Sequence, residues 1–209
     1  MTTLSKRRFL ASTLAFTLIS NTAMAEDSKP TQDSIEKISL GAGCFWCIEA
    51  IYNRLEGVKS SVSGYQNGFL KNPTYKDICT GATGHAEVVL VTFDRDKISL
   101  KEILSWFWKA HDPTTLNRQG NDVGTQYRSG IFYYTEEQKM IAEASLKEAQ
   151  NEFSKKIVTE ITKAQTFYPA EAYHQNYYRD NKEKNGYCQY VITPKMKKLK
   201  LEDKAKLAE

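Results

Sequence analysis

The stretch Gly41-Ala42-Gly43-Cys44-Phe45-Trp46-Cys47 constrains this chain most, because it joins two different periodicities. Lys37 to Leu40 before it reads as a short strand. Ile48, Ile51, Tyr52 and Leu55 after it recur at i, i+3, i+4 and i+7, the spacing of an amphipathic helix, which Gly57 closes. Cys44 therefore opens a helix. Unpaired backbone N–H groups favour an anion there, so a thiolate at Cys44 is expected to be stabilised. The three-residue step puts Cys47 on the same helix face, within reach of Cys44. A C-x-x-C motif admits a structural disulfide as readily as redox chemistry.

Further along, Val58 to Gly64 and Ala86 to Phe93 read as strands, the second largely apolar and expected to be central. Ser99 and Glu102 form a capping box, and Leu100, Ile103, Leu104, Phe107 and Trp108 carry a helical stripe to His111. Ile131 to Tyr134 is a strand, and Thr135, with Gln138 as its box partner, starts a helix to about Phe153. Ile157 to Thr162 alternates like an edge strand, and Glu171 to Arg179 reads as a short Tyr-rich helix. Residues 66–84 and 112–127 stay irregular, and loops of that length in one domain are usually functional. The alternation predicts an α+β fold with helices on the faces of a sheet.

The ends differ in character from this middle. Lys6, Arg7 and Arg8, the apolar run from Phe9 to Ser20, and Ala23-Met24-Ala25 read as a secretory signal, residues 1–25, cleaved after Ala25. Residues 26–35 form a polar linker, 36–193 one domain and 194–209 a Lys-rich tail. The formal net charge of +4 falls to +1 without the three leader cations. The remaining basic excess sits mainly in Lys195, Lys197, Lys198 and Lys200, a run expected to be solvated surface, so nucleic-acid and stable membrane partners are not expected. An exported chain is expected in the periplasm, where Cys44, Cys47, Cys79 and Cys188 meet oxidising conditions. Cys79 and Cys188 lack a close Cys or His partner, which argues against zinc. That leaves structural bridges against redox chemistry.

Gly43-Cys44-Phe45-Trp46 followed by Glu49 resembles the active-site signature of the A-type peptide methionine sulfoxide reductases. The resemblance continues through Asn72-Pro73-Thr74-Tyr75, Gly84-His85-Ala86-Glu87 and His111-Asp112-Pro113. It is densest from Gln119 to Ser129 and ends at Tyr173-His174-Gln175 and Gly186-Tyr187-Cys188. The pieces stand in the family's order across residues 38–190. The resemblance implies a two-layer ferredoxin-like sandwich and reduction of methionine-S-sulfoxide, free or in proteins, through a Cys sulfenic acid and an intramolecular disulfide. Cys44 resembles the nucleophile and Glu87 the general acid, whose pKa an apolar setting must raise. Tyr75 and Tyr127 resemble the phenolic donors to the sulfoxide oxygen. Phe45 and Trp46 resemble the walls of the methyl pocket, Asp122 an orienting or substrate-binding residue, and His174 and Tyr177 the lining of the peptide-binding face. His85 and His111 are expected to be structural, and Cys79 a buried bystander.

Two departures bear on the second thiol. The family usually has Gly where this chain has Cys47, and the tail lacks the Gly-rich segment with a recycling cysteine. Cys188 is the expected resolving thiol by position, with Cys47 the alternative by proximity. The family implies no metal or organic cofactor, a thioredoxin-like dithiol donor, and a monomer. Two other readings compete: a thioredoxin-like disulfide oxidoreductase, and a secreted module stapled by Cys44–Cys188. The first gives Glu87, Tyr75 and Tyr127 no task, and the second predicts an inert bridge.

Overall fold

The structure, a computed structural model, describes residues 34–202. The expected leader, nearly all of the linker and the end of the tail lie outside the described residues. From the N-terminal side the chain runs β1 (Ile35–Ala42), α1 (Phe45–Tyr52), β2 (Val58–Gln66), α2 (Tyr75–Cys79), β3 (Ala86–Asp94) and α3 (Leu100–Ala110). Next come β4 (Arg118–Gln119), β5 (Asp122–Val123), β6 (Ser129–Tyr133) and α4 (Glu136–Ala149). The chain ends with β7 (Glu160–Lys163), β8 (Tyr168–Pro169), α5 (Tyr177–Asn181) and α6 (Thr193–Lys198).

Six strands form one sheet in the order β7-β6-β1-β3-β2-β8, and β4 and β5 pair separately. All neighbours in the large sheet are antiparallel except β6 and β7, which run parallel. The fold is α+β. The apolar run of β3 lies between β1 and β2, as expected, with Val89, Val91 and Phe93 fully buried. Strands covered on both faces read as near-continuous apolar runs rather than alternating ones. The strand expected at 157–162 is the shorter β7, at the edge of the sheet.

The α3 stripe works as its spacing demands: Ile103, Leu104 and Phe107 are fully buried. Each such side chain contributes roughly 1.5–3 kcal/mol relative to leaving it exposed. The Ser99–Glu102 box closes in both directions, at 3.2 and 2.9 Å. Trp108 donates its indole N–H to Ser145 at 2.8 Å and so ties α3 to α4. Thr135 caps α4 through the N–H of Gln138 at 3.2 Å. The expected return half of that box is missing, because Gln138 Oε1 takes the N–H of Tyr134 and Nε2 donates to Lys37 O on β1.

Three expectations need correction. The stretch 66–84 is not wholly irregular: Thr74 and Asp77 form a capping box that starts α2. The helix expected over Glu171–Arg179 is broken into a single turn at Ala172–His174 and α5, with Asn176 left-handed at φ 54° between them. Gln175 holds the break open, its amide bonding to Ser63 N, Ser63 O and Ala170 O. The tail is not simply solvated surface either. Lys197, Lys198 and Lys200 face solvent, but Met196 and Leu201 are fully buried, so α6 belongs to the core. Among the described residues, no helix is long and apolar enough to cross a membrane.

Candidate active site

Sheet order decides what meets Cys44. β1 delivers Gly43 and Cys44 to the start of α1, and β3, its neighbour, begins beside them with Glu87. Gly43 has φ +83°, and a Cβ there would lie 2.6 Å from Gln119 Cβ. Only glycine tolerates both the left-handed backbone and that approach. It lets the 112–127 segment close over the thiol.

Glu87 is 2% exposed and accepts the N–H of Phe45 at 3.2 Å. Burial pushes its carboxyl up to about 8, against that hydrogen bond, and the charges of Asp122 and Cys47 push the same way. Near pH 7 the side chain is protonated, the state the sequence argument required. The resting thiols differ from expectation. Burial, the contact with Cys47 and the negative charge of Glu87 push Cys44 well above the ordinary thiol range. The helix N-terminus gives little relief, since the Phe45 N–H is committed to Glu87. Cys47 moves the other way, to about 7, because the Cys44 thiol hydrogen-bonds to it, with Lys195 and Tyr187 helping against burial. The pair thus loses one proton readily, from Cys47, and keeps the other on Cys44 at rest. Neutral Glu87 removes the charge that opposes a thiolate at Cys44.

Tyr75 and Tyr127 are both half-buried. Burial pushes the Tyr75 phenol up, as do its contact with Cys79 and the charge of Glu87. Tyr127 is pushed up by burial and by the charges of Glu87, Asp122 and Cys44. Both therefore remain phenols that can donate a hydrogen bond. Trp46 stacks on Tyr177 at 3.7 Å with ring planes 6° apart, and Phe45 lies 6.3 Å from Trp46 between ring centroids. Cys188 is fully buried, its N–H bonded to Asn185 Oδ1 at 3.2 Å, and burial followed by the charge of Cys47 raises its pKa.

Two expected placements fail. His174 is 1% exposed and lies among the rings of Phe45, Trp46, Tyr75 and Tyr173. It underlies the pocket rather than lining a peptide-binding face, because the break at Gln175 turns it inward. Cys79 is exposed rather than buried, since it sits at the outer end of α2. His85 and His111 are buried, with both ring nitrogens of each hydrogen-bonded, as structural histidines should be.

Two residues escaped the sequence reading. Tyr187 donates to Asp122 Oδ2 at 2.6 Å, and its hydroxyl acts to lower the pKa of both thiols of the pair. Its position directly before Cys188 was the available signal. Glu171 accepts the Tyr65 hydroxyl at 2.9 Å and the Tyr75 N–H at 2.8 Å. Nothing in the local sequence marked it.

A buried thiol pair, a carboxyl held neutral at pH 7 and phenols around one point define a thiol-based reductase site. Comparison with known proteins narrows the class. The family model for peptide methionine sulfoxide reductase matches residues 36–207. A peptide methionine sulfoxide reductase MsrA from Leptospira borgpetersenii is 57% identical over 164 residues, covering 78% of this chain and 93% of that one. Among solved structures, reduced Mxr1 from Saccharomyces cerevisiae is similar at TM-score 0.71 and 34% identity, covering 78% of this chain and 94% of that one. Mxr1 in complex with Trx2 is similar at TM-score 0.51 and 27% identity, covering 73% of this chain and 91% of Mxr1. The chain belongs to the peptide methionine sulfoxide reductase family.

Proposed function

We propose that this chain reduces the S epimer of methionine sulfoxide, free or in proteins, with Cys44 as nucleophile and Glu87 as general acid. The observation that carries this is a carboxyl held at about 8 beside the buried thiol pair. Glu87 protonates the sulfoxide oxygen while the Cys44 sulfur attacks the substrate sulfur, and Tyr75 and Tyr127 donate to the same oxygen. In the resulting adduct the protonated oxygen passes from the substrate sulfur to the Cys44 sulfur as the S–S bond breaks. Methionine departs and Cys44 keeps the oxygen as sulfenic acid. A second thiol then displaces that oxygen as water and forms a disulfide. Phe45 and Trp46 wall the methyl group, with Tyr177 stacked behind Trp46, and Asp122 orients the site through Tyr187. Steady-state turnover on separated epimers, with a small dithiol as reductant, tests this. The S epimer should be consumed and the R epimer left; equal rates on both would overturn the assignment.

The resolving step favours Cys47 over Cys188, reversing the expectation from sequence. Cys44 is the largest influence on the pKa of Cys47, whereas the thiol that bears on Cys188 is Cys47 rather than Cys44. Cys188 then attacks Cys47 in the Cys44–Cys47 bridge, releasing the Cys44 thiol and leaving a Cys47–Cys188 disulfide. Acid quench and peptide mapping after one equivalent of substrate should find Cys44–Cys47 first, converting to a bridge containing Cys188. A dominant early Cys44–Cys188 species would restore the original order. A dithiol protein of the thioredoxin kind returns the electrons, a reading supported by the solved complex of Mxr1 with Trx2.

Two further readings accompany this one. The order β6-β1-β3-β2, with α1 and α3 as the crossing helices, supports a ferredoxin-like core carrying β7 and β8 as extensions. Export to the periplasm rests on the leader pattern of residues 1–25. N-terminal sequencing of protein recovered from the periplasm should begin at Glu26. Recovery of a chain with Met1 intact in the cytoplasm would reject it.

A further inference from the structure

Trp46 forms one wall of the site but is only half-buried, so something must fix its ring. Its indole Nε1 donates to His174 Nδ1 at 3.0 Å. An indole N–H is only a donor, so Nδ1 must offer a lone pair, and the ring proton of a neutral imidazole then sits on Nε2. Nε2 is buried and makes no hydrogen bond among the described residues; the Oε2 of Glu171 lies 3.9 Å from it. Glu171 is itself held ionised. Burial opposes its charge, but the N–H of Tyr75, its own backbone N–H and the hydroxyl of Tyr65 act together to lower its pKa. A carboxylate facing Nε2–H selects the tautomer that leaves Nδ1 free to accept.

We propose that Glu171 and His174 are positioning residues that fix the indole of Trp46 and so set the preference of the pocket for a methyl group on sulfur. One carboxylate serves both sides of the pocket. Through His174 it sets the aromatic wall, and through the Tyr75 N–H it pins the first residue of α2, which carries the phenol. The ring of His174 adds packing, 5.0 Å from Phe45 and 4.5 Å from Tyr75 between centroids. Loss of the hydrogen bond leaves the indole held by its stacking on Tyr177, free to slide within its own plane, and the space beside the methyl group widens. Neither residue handles the reacting atoms. The proposal rests on the sulfoxide-reductase reading for its substrate, though not for the hydrogen bond itself.

The test compares wild type with H174F, H174N and E171Q on the S epimers of methionine sulfoxide and ethionine sulfoxide. Phe keeps the ring and removes the acceptor, whereas Asn places an amide oxygen near the former Nδ1. An added methylene in a fitted pocket is discriminated about 10–200-fold. H174F should lose most of the methyl-over-ethyl ratio, chiefly through KM, and H174N should retain it within about twofold. E171Q should fall between the two. In parallel, the Trp46 indole N–H signal, assigned with W106F and W108F, should exchange with solvent faster in H174F but not in H174N. An unchanged ratio in H174F, or H174N behaving like H174F, would overturn the proposal. If H174F does not fold, E171Q decides: a wild-type ratio and unchanged indole exchange would overturn it. A wild type inert towards methionine sulfoxide would instead sink the functional reading, and the indole exchange would still decide the hydrogen-bond relay.

Discussion

Replacing Cys44 with serine is expected to abolish reduction of the S epimer while the fold persists. A hydroxyl has almost no anionic form at neutral pH, and oxygen is a far poorer nucleophile towards sulfur than a thiolate. The fold should survive because serine is close in size and Cys44 contributes little of the core, which rests on residues such as Phe45, Ile48, Ile51 and Phe107. The rate should drop below detection, with circular dichroism and the melting midpoint close to wild type. Turnover retained in C44S would remove Cys44 from the mechanism. Loss of activity with loss of fold would show that Cys44 is structural.

The second large effect concerns Glu87. Glu87→Gln preserves shape and the acceptor for the Phe45 N–H but removes the transferable proton. General acid catalysis is worth roughly 10²–10⁴-fold, and a loss in that range is expected in the first, methionine-forming turnover. The pH dependence carries a sign. The active form of Glu87 is protonated, so the wild-type rate should fall as pH rises through about 8. On the acid side the rate should rise as the thiol pair loses its first proton near 7. In E87Q the alkaline fall should vanish and the acid limb remain. Stability moves oppositely. A buried carboxyl with a raised pKa binds its proton more tightly folded than unfolded, so its presence destabilises the fold increasingly from about pH 4.5 to about 8. E87Q should therefore melt higher than wild type at pH 7. A single-turnover rate within about twofold of wild type would mean that Glu87 is not the acid.

Much of this site could be read from residue order, because its chemistry is concentrated in short segments. The Gly43-Cys44 junction is such a case: a left-handed glycine before a helix start is a local requirement that a local sequence can state. Asn67 behaves likewise, adopting φ 59°, a left-handed conformation that asparagine tolerates. The buried setting of Glu87 was expected only from the family resemblance, since a carboxylate at the start of a strand otherwise reads as surface. The resting state of Cys44 was not legible, because it depends on where the Phe45 N–H goes, and Glu87 is 42 residues away in sequence. His174 and Glu171 were misread or missed for the same reason. Their partners Trp46, Tyr65 and Tyr75 lie roughly a hundred residues earlier, and only the break at Gln175–Asn176 turns them inward. The buried end of α6 was hidden by lysine content. Met196, Leu199 and Leu201 are three apolar positions in a short basic run, too few to show a period.

The central claim is that Cys44 takes the oxygen from the substrate and hands the oxidation to a neighbouring thiol. It is tested most directly by a single turnover without external reductant. Fully reduced protein, with its four free thiols, is mixed with one equivalent of the S sulfoxide and quenched in acid. Methionine should appear in equal amount to protein, two thiols should disappear, and the mass should show no retained oxygen once the disulfide has formed. Failure to form methionine, or methionine formed with all four thiols intact, would contradict the account.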